Sequence, residues 1–348
     1  MQRCFERYAV PGGIRAPEPR STYPNLRTTR GGDSPQLVTG YQSQDLNERV
    51  ELMMDNRLLP ELLRPARFVT DLLILSRPVA ALCAGVQLLI GAHLTNRTNP
   101  PTVGEALVLR EAIVIALVAA AVNVVNDIVD VRADAISRPH RPLPAGRVST
   151  ASAWWLASGQ AVVALALSVG VPSALAVTLV LLVIGLSYSY LLKGTVLVGN
   201  LVVALIAATP IVYGGRLGGA PLLPALLAGM IIASFMFAFE VLKTIRDVVA
   251  DEAAGYRTVA TTWGVRSTSA VFRIALAAYA MLAAAPLLLD GVSVSYYAFM
   301  WLGAVIPSLI AGWRFRIESS MSAVGPVLRV MAISWFPGLV AFALAFHR

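Results

Sequence analysis

The sequence predicts an all-α protein built into a membrane, and three observations carry that reading. Hydrophobic residues make up 57% of the chain and charged residues only 14%, a balance outside the usual range of soluble domains. The mean hydropathy is +0.68. Apolar runs of about twenty residues, the length a helix needs to cross about 30 Å of hydrocarbon, follow one another from residue 67 to the C-terminus.

Residues 1–56 are rich in Arg, Pro, Gly, Ser and Thr without sustained periodicity, which predicts a disordered arm that buries too little apolar surface to offset its ordering entropy. Its beginning, MQRCFERYAVPGG, lacks the apolar core of a secretory signal. Between Arg57 and Phe68, leucines alternate with arginines and suit an interfacial lead-in. The runs at 67–93, 105–126, 150–170, 173–192, 195–214, 221–243, 268–289, 293–313 and 325–346 then predict nine spans in one membrane domain, 57–348. Lys and Arg concentrate in the arm and in the loops after the even-numbered spans. That asymmetry places the N-terminus and those loops in the cytoplasm and the C-terminus on the other side.

The same asymmetry accounts for the net charge of +8; no zinc, helix-turn-helix or RNP pattern accompanies it, so nucleic acid is not an expected partner. Cys4 and Cys83 stand far apart, one in the arm and one in the first apolar run, which argues against a disulfide or a thiolate metal site. His140 lies between two Arg-Pro pairs with no second His nearby. Trp154, Trp155, Trp301 and Trp313 read as membrane anchors. Gly214, Gly215, Gly218 and Gly219 read as a turn-rich outer loop.

Two acidic segments stand out among only 20 acidic residues. In NDIVDVRADAISRPHRPLPAG, residues 126–146, Asn126, Asp130 and Asp134 recur every fourth position, which keeps them within about 80° of arc on one helix face. Asp127 is adjacent. In KTIRDVVADEAAGYRT, Asp247 and Asp251 repeat the spacing, after a span that lies on the same side of the membrane. Solvated loop charges are the ordinary explanation of one such motif. Two in equivalent loops, at a depth where unpaired carboxylates are costly, point instead to a polar cavity. Oxygen ligands without His or Cys select Mg²⁺, which binds through a few carboxylates together with phosphate oxygens. Arg77, Arg138, Arg141, Lys193 and Lys243 then supply positive charge for a diphosphate.

These segments resemble the NDxxDxxxD and DxxxD motifs of the UbiA superfamily of intramembrane prenyltransferases. Ser76–Pro78 (SRP), YSYLLKGTVLVGN from Tyr188 and the count of nine helices extend the resemblance from about Ser76 to the C-terminus. It implies a nine-helix bundle around a central cavity, with Mg²⁺ and a prenyl diphosphate held under a cytoplasmic cap. Carried over by position, Asn126, Asp127, Asp130, Asp134, Asp247 and Asp251 match the metal set, and Arg77, Lys193 and Lys243 match diphosphate contacts. Arg138 and Arg141 match the RPxRPLPxG segment. The motifs look closest to the branch that alkylates geranylgeranylglyceryl phosphate, except that Thr244 and Arg246 stand where that branch usually has acids.

The implied chemistry is ionisation of an allylic diphosphate, followed by capture of the cation by a lipophilic or aromatic acceptor that the sequence does not identify. Asp130, Asp134, Asp247, Asp251 and Lys193 are the expected catalytic residues. Tyr188 and Tyr190 either shield the cation with their ring faces or belong to the interfacial aromatic belt. A terpene cyclase, which needs no acceptor, is the alternative enzyme. A cation transporter fits poorly, because its acidic residues would lie at mid-membrane without so many basic neighbours.

Overall fold

The computed structural model describes residues 65–94, 103–289, 291–315 and 323–345; the predicted arm and most of its lead-in lie outside them. Among the described residues every regular element is helical. Helices α1 (Pro65–Ser76) and α2 (Pro78–Ala92) follow each other across a bend of 48° and together are long and apolar enough for one span. They are followed by α3 (Glu105–Val129), the short α4 (Val131–Ser137), α5 (Thr150–Ser168), α6 (Pro172–Ser187), α7 (Val198–Leu217), α8 (Leu222–Ala253) and α9 (Val259–Ala284). The last crossing pair is α10 (Val294–Tyr297), which runs through π-helical turns at Ala298–Val305 into α11 (Ile306–Arg314), and α12 (Val324–Ala343). Among the described residues eight helices are long and apolar enough to cross a membrane, and the bent pair makes up to nine.

The first span breaks at Arg77. Pro78 has no N–H to continue α1, and Arg77 adopts a left-handed conformation with φ 46° and ψ 63°, which is unfavourable for a residue with a side chain. Flanking contacts hold it there: the Asp71 carboxylate accepts three hydrogen bonds of 3.0–3.2 Å from Arg147, and Gln160 on α5 donates to the Ser76 hydroxyl at 2.8 Å.

The glycines near the end of α7 correct the sequence reading. Gly214 and Gly215 lie inside the helix, Gly218 caps it, and Gly218 and Gly219, the latter with φ 76°, form the turn. A Cβ on Gly214 or Gly218 would sit 2.0 Å from the carbonyl oxygen of Leu88 or Ala92, and one on Gly91 would sit 2.2 Å from that of Ile211. Hydrocarbon gives apolar side chains no reason to associate, so close backbone approach through small residues is how membrane helices gain packing energy. The stripe fastens α2 to α7.

Two other boundaries moved for visible reasons. The helix expected at 268–289 begins at Val259, where Thr258 and Thr261 form a reciprocal cap, and Gly264, at φ 78°, breaks its direction. The span expected at 195–214 starts at Val198, because π-helical turns at Tyr188–Leu192 and Leu197 at φ 63° delay it. Alternating helix directions bring the start of α2, the ends of α3, α6 and α8, and the starts of α7 and α9 to one end of the bundle. Both acidic segments lie there.

Candidate active site

The first acidic segment stays nearly helical through the junction of α3 and α4. Asp130, at φ −83° and ψ 0°, donates its backbone N–H to Asn126 O at 3.0 Å, and the ladder continues from Asp134 N–H to Asp130 O at 2.8 Å and from Arg138 N–H to Asp134 O at 2.7 Å. Asn126, Asp130 and Asp134 therefore keep the stacking that their spacing predicts. Asp127, Asp130 and Asp134 are all buried, and each is paired. Asn126 Nδ2 donates to Asp130 Oδ2 at 2.9 Å, and Lys193 Nζ donates to the same oxygen. Arg141 Nη1 reaches Asp134 at 2.6 Å and Asp127 at 3.1 Å. Arg77 also donates to Asp127, and its other guanidinium nitrogen lies 3.4 Å from Asn123 Oδ1.

Arg138 joins the two motifs. One nitrogen of its guanidinium donates to Asp134 at 2.8 Å, while the other donates to both oxygens of Asp247 at 2.9 and 2.8 Å. Arg246 grips Asp247 from its own helix through two further bonds of 2.8 Å. Burial acts to lower the pKa of Arg138, but the carboxylates of Asp247 and Asp134 outweigh it and raise the pKa above its ordinary value. Breaking one partner from such a cluster leaves a buried charge uncompensated.

These groups surround a cavity of about 280 Å³ whose wall includes Arg77, Asn126, Asp130, Asp134, Arg138, Arg141, Tyr188, Lys193, Lys243, Asp247 and Asp251. Two of the expected residues are placed elsewhere. Asp127 is absent from the wall and instead holds Arg77 and Arg141. Tyr190 is 56% exposed, since residues two apart on a helix face opposite ways and Tyr188 is the one that lines the cavity. His140 is exposed as well.

The wall also contains residues that the sequence did not single out for the site. Glu240 is buried and accepts from Lys243 at 2.8 and 2.9 Å; its i, i+3 spacing from Lys243 looks like an ordinary helix-surface pair. Asn200, Thr244 and Arg246 line the cavity too. Beside the cavity, the Tyr256 ring lies 5.5 Å from Lys193 Nζ. Burial, with the carboxylates of Asp130 and Asp251 adding to it, pushes the Tyr256 phenol up to about 12, so it remains neutral.

A second chamber of about 650 Å³ adjoins the first. Its wall is mainly apolar, from Pro78–Ala84 on α2, Ile115–Val122 on α3, Val203–Pro210 on α7 and Phe235–Phe239 on α8, with Trp335 and Phe336 on α12. Arg77, Asn126, Tyr188, Phe239, Glu240 and Lys243 line both spaces. An anionic head group and an apolar tail thus have contiguous compartments with a shared neck.

Among the described residues no three His, Cys, Asp or Glu side chains converge on a single point, since lysine and arginine are interleaved with the carboxylates. The donor chemistry nevertheless suits a hard cation. Asp130 Oδ1 is buried without a hydrogen-bond partner on a residue that lines the cavity, and the neighbouring donors on the acidic stripe are all oxygens.

The UbiA prenyltransferase family matches residues 84–346 of the chain. A curated relative, the digeranylgeranylglyceryl phosphate synthase of Methanoculleus marisnigri, is 33% identical over 285 residues, covering 78% of this chain and 96% of that one. Two solved structures share the fold. A UbiA homolog from Aeropyrum pernix K1 superposes with a TM-score of 0.60 at 19% identity, over 74% of this chain and 98% of that one. A UbiA homolog from Archaeoglobus fulgidus bound to GPP and Mg²⁺ gives 0.57 at 20% identity, over 78% and 99%.

Proposed function

The chain belongs to the UbiA prenyltransferase family, and from that premise we propose that it transfers a prenyl group from a prenyl diphosphate to the hydroxyl of a glycerophosphate lipid, releasing diphosphate. The observation that carries this reading is the continuity of the charged cavity with the apolar chamber through one neck. The glycerophosphate acceptor is supported by the curated digeranylgeranylglyceryl phosphate synthase at 33% identity. A phosphate on the acceptor also matches a cavity wall with six Lys or Arg side chains and five Asp or Glu.

In this reading Asn126, Asp130, Asp134, Asp247 and Asp251 would hold Mg²⁺, with Asp127 supporting from behind through Arg77 and Arg141. When bound, Mg²⁺ supplies Lewis-acid stabilisation of the leaving diphosphate. Arg77, Arg138, Arg141, Lys193 and Lys243 orient the phosphate oxygens and stabilise charge as the allylic C1–O bond lengthens. The apolar chamber binds the tail and excludes the water that would trap the cation as an alcohol. Tyr188, in the neck, presents its ring and hydroxyl where C1 lies, whereas the exposure of Tyr190 gives it a place in the interfacial belt. The lysine and arginine asymmetry of the loops supports a cytoplasmic site.

The test uses purified protein in nanodiscs with Mg²⁺, geranylgeranyl diphosphate and either geranylgeranylglyceryl phosphate or an aromatic acceptor. Mass spectrometry should find a second prenyl ether on the glycerol lipid together with stoichiometric diphosphate. Product on the aromatic compound alone would refute the acceptor, and a cyclic hydrocarbon formed without acceptor would establish cyclisation.

A further inference from the structure

Glu240 is a buried carboxylate outside both aspartate motifs. It is 8% exposed and lies on α8 seven positions before Asp247, about 10 Å further into the bundle at 1.5 Å per residue. Both of its oxygens accept from Lys243. It lines the charged cavity and the apolar chamber alike. A carboxylate at that depth is costly, and an apolar pair of similar volume would serve packing as well or better. Packing alone therefore gives no reason for it.

Its position supplies one. If the diphosphate lies among the cations around Asp130 and Asp247 and the tail lies in the apolar chamber, the C1 end of the prenyl chain crosses the neck where Glu240 stands. The reaction of the acceptor hydroxyl releases a proton at that point. Asp130, Asp134, Asp247 and Asp251 are assigned above to the metal, and unlike Glu240 none of them lines the apolar chamber. Arg77 from the start of α2, Asn126 from α3, Tyr188 from the π-helical turns and Lys243 from α8 share the neck, and none of them is a carboxylate.

We propose that Glu240 is the proton acceptor of the transfer step. This rests on the transferase reading above. The C1–O bond to diphosphate breaks, and its electron pair leaves with the diphosphate. A lone pair of the acceptor hydroxyl forms the new C–O bond, and the hydroxyl proton passes to a carboxylate oxygen of Glu240. Once that bond begins to form, the O–H is far more acidic than an alcohol, so a salt-bridged carboxylate is base enough. Neutral Glu240 then no longer competes with the diphosphate for Lys243. The proton returns to water through the charged cavity.

The experiment compares wild type, Glu240→Gln and Glu240→Asp in nanodiscs, measuring diphosphate, prenyl ether and prenyl alcohol from the same reactions. In Glu240→Gln, diphosphate release should stay within a few fold of wild type while the ratio of ether to alcohol falls by about 100-fold. Glu240→Asp, which keeps the charge beside Lys243, should shift the ratio in the same direction by a smaller factor and recover ether formation relative to Gln. An unchanged ratio in both variants, or parallel loss of diphosphate and ether at a constant ratio, would overturn the assignment. Wild-type protein that makes neither product would overturn the transferase reading, and this one with it.

Discussion

Arg138, just beyond α4, donates to both carboxylate oxygens of Asp247 on α8, at 2.9 and 2.8 Å, across 109 residues of sequence. One guanidinium thus bridges the two acidic motifs, from Asp134 to Asp247. Replacing it with alanine leaves Asp134 and Asp247 facing each other without their shared counter-charge. Arg138→Ala should raise KM for the prenyl diphosphate by about tenfold or more, as expected for loss of a charge-assisted contact, and should lower the thermal midpoint in detergent. Steady-state kinetics and a melting curve check both.

Asp130→Ala and Asp247→Ala each remove a carboxylate from one motif without opening an apolar cavity. Diphosphate release should fall by at least about 10²-fold, the scale of losing a group that stabilises developing charge, while membrane insertion and the gel-filtration profile stay unchanged. Release within a few fold of wild type in both variants would refute the motif assignment.

Chelation of divalent cations should stop diphosphate release, and added Mg²⁺ should restore it, because Asp130 Oδ1 is a buried oxygen with no protein partner in an all-oxygen set suited to a hard ion. Full turnover in excess chelator would contradict the metal reading. Isothermal titration of Mg²⁺ into wild type and Asp130→Asn, with an unreactive diphosphate analogue present, gives an independent measure.

The Asp71–Arg147 pair ties α1 to the loop that carries Arg138 and Arg141. Its loss should let the strained backbone at Arg77 relax and misplace that guanidinium. Displacements of about 1 Å in positioning groups cost up to about 10²-fold in rate. Asp71→Ala should therefore reduce kcat/KM by at least about tenfold. The exchanged pair Asp71→Arg with Arg147→Asp should recover a substantial part, which simple loss of stability would not predict.

Gly214→Val should prevent proper assembly of the bundle, since its first side-chain carbon would lie 2.0 Å from a backbone oxygen. The backbone cannot yield as a flexible side chain would, so the penalty exceeds the 1–3 kcal/mol typical of overpacking, on the order of 3 kcal/mol or more. Fluorescence-detected gel filtration should show loss of the monodisperse peak.

The crossings and the two acidic rungs were legible because hydrocarbon imposes a length on every helix and a helix imposes a four-residue spacing on its polar face. Glu105–Val129 begins where its apolar run begins, and Asn126, Asp130 and Asp134 remain stacked as the spacing requires. Less legible was whatever depends on contacts distant in sequence. Asp127 could not be told from its neighbours until Arg77 and Arg141 were seen to hold it. Tyr188 and Tyr190 face opposite ways on any helix, and which of them faces inward depended on the cavity that Tyr188 lines. Glu240 was overlooked because an acid three residues before a lysine is common on any helix surface. The glycines after Tyr213 passed for a loop because flexibility and close packing call for the same residue.

The glycine stripe between α2 and α7 extends its influence to the far end of both helices. At the inner end of α2 stands Arg77; at the inner end of α7, Gly199 packs against the carbonyl of Leu192, immediately before Lys193. Two positive charges are thus mounted on one stiff frame, as on the jaws of a caliper whose opening cannot be adjusted. A substitution that loosens the stripe should therefore displace both cations together, although it touches neither.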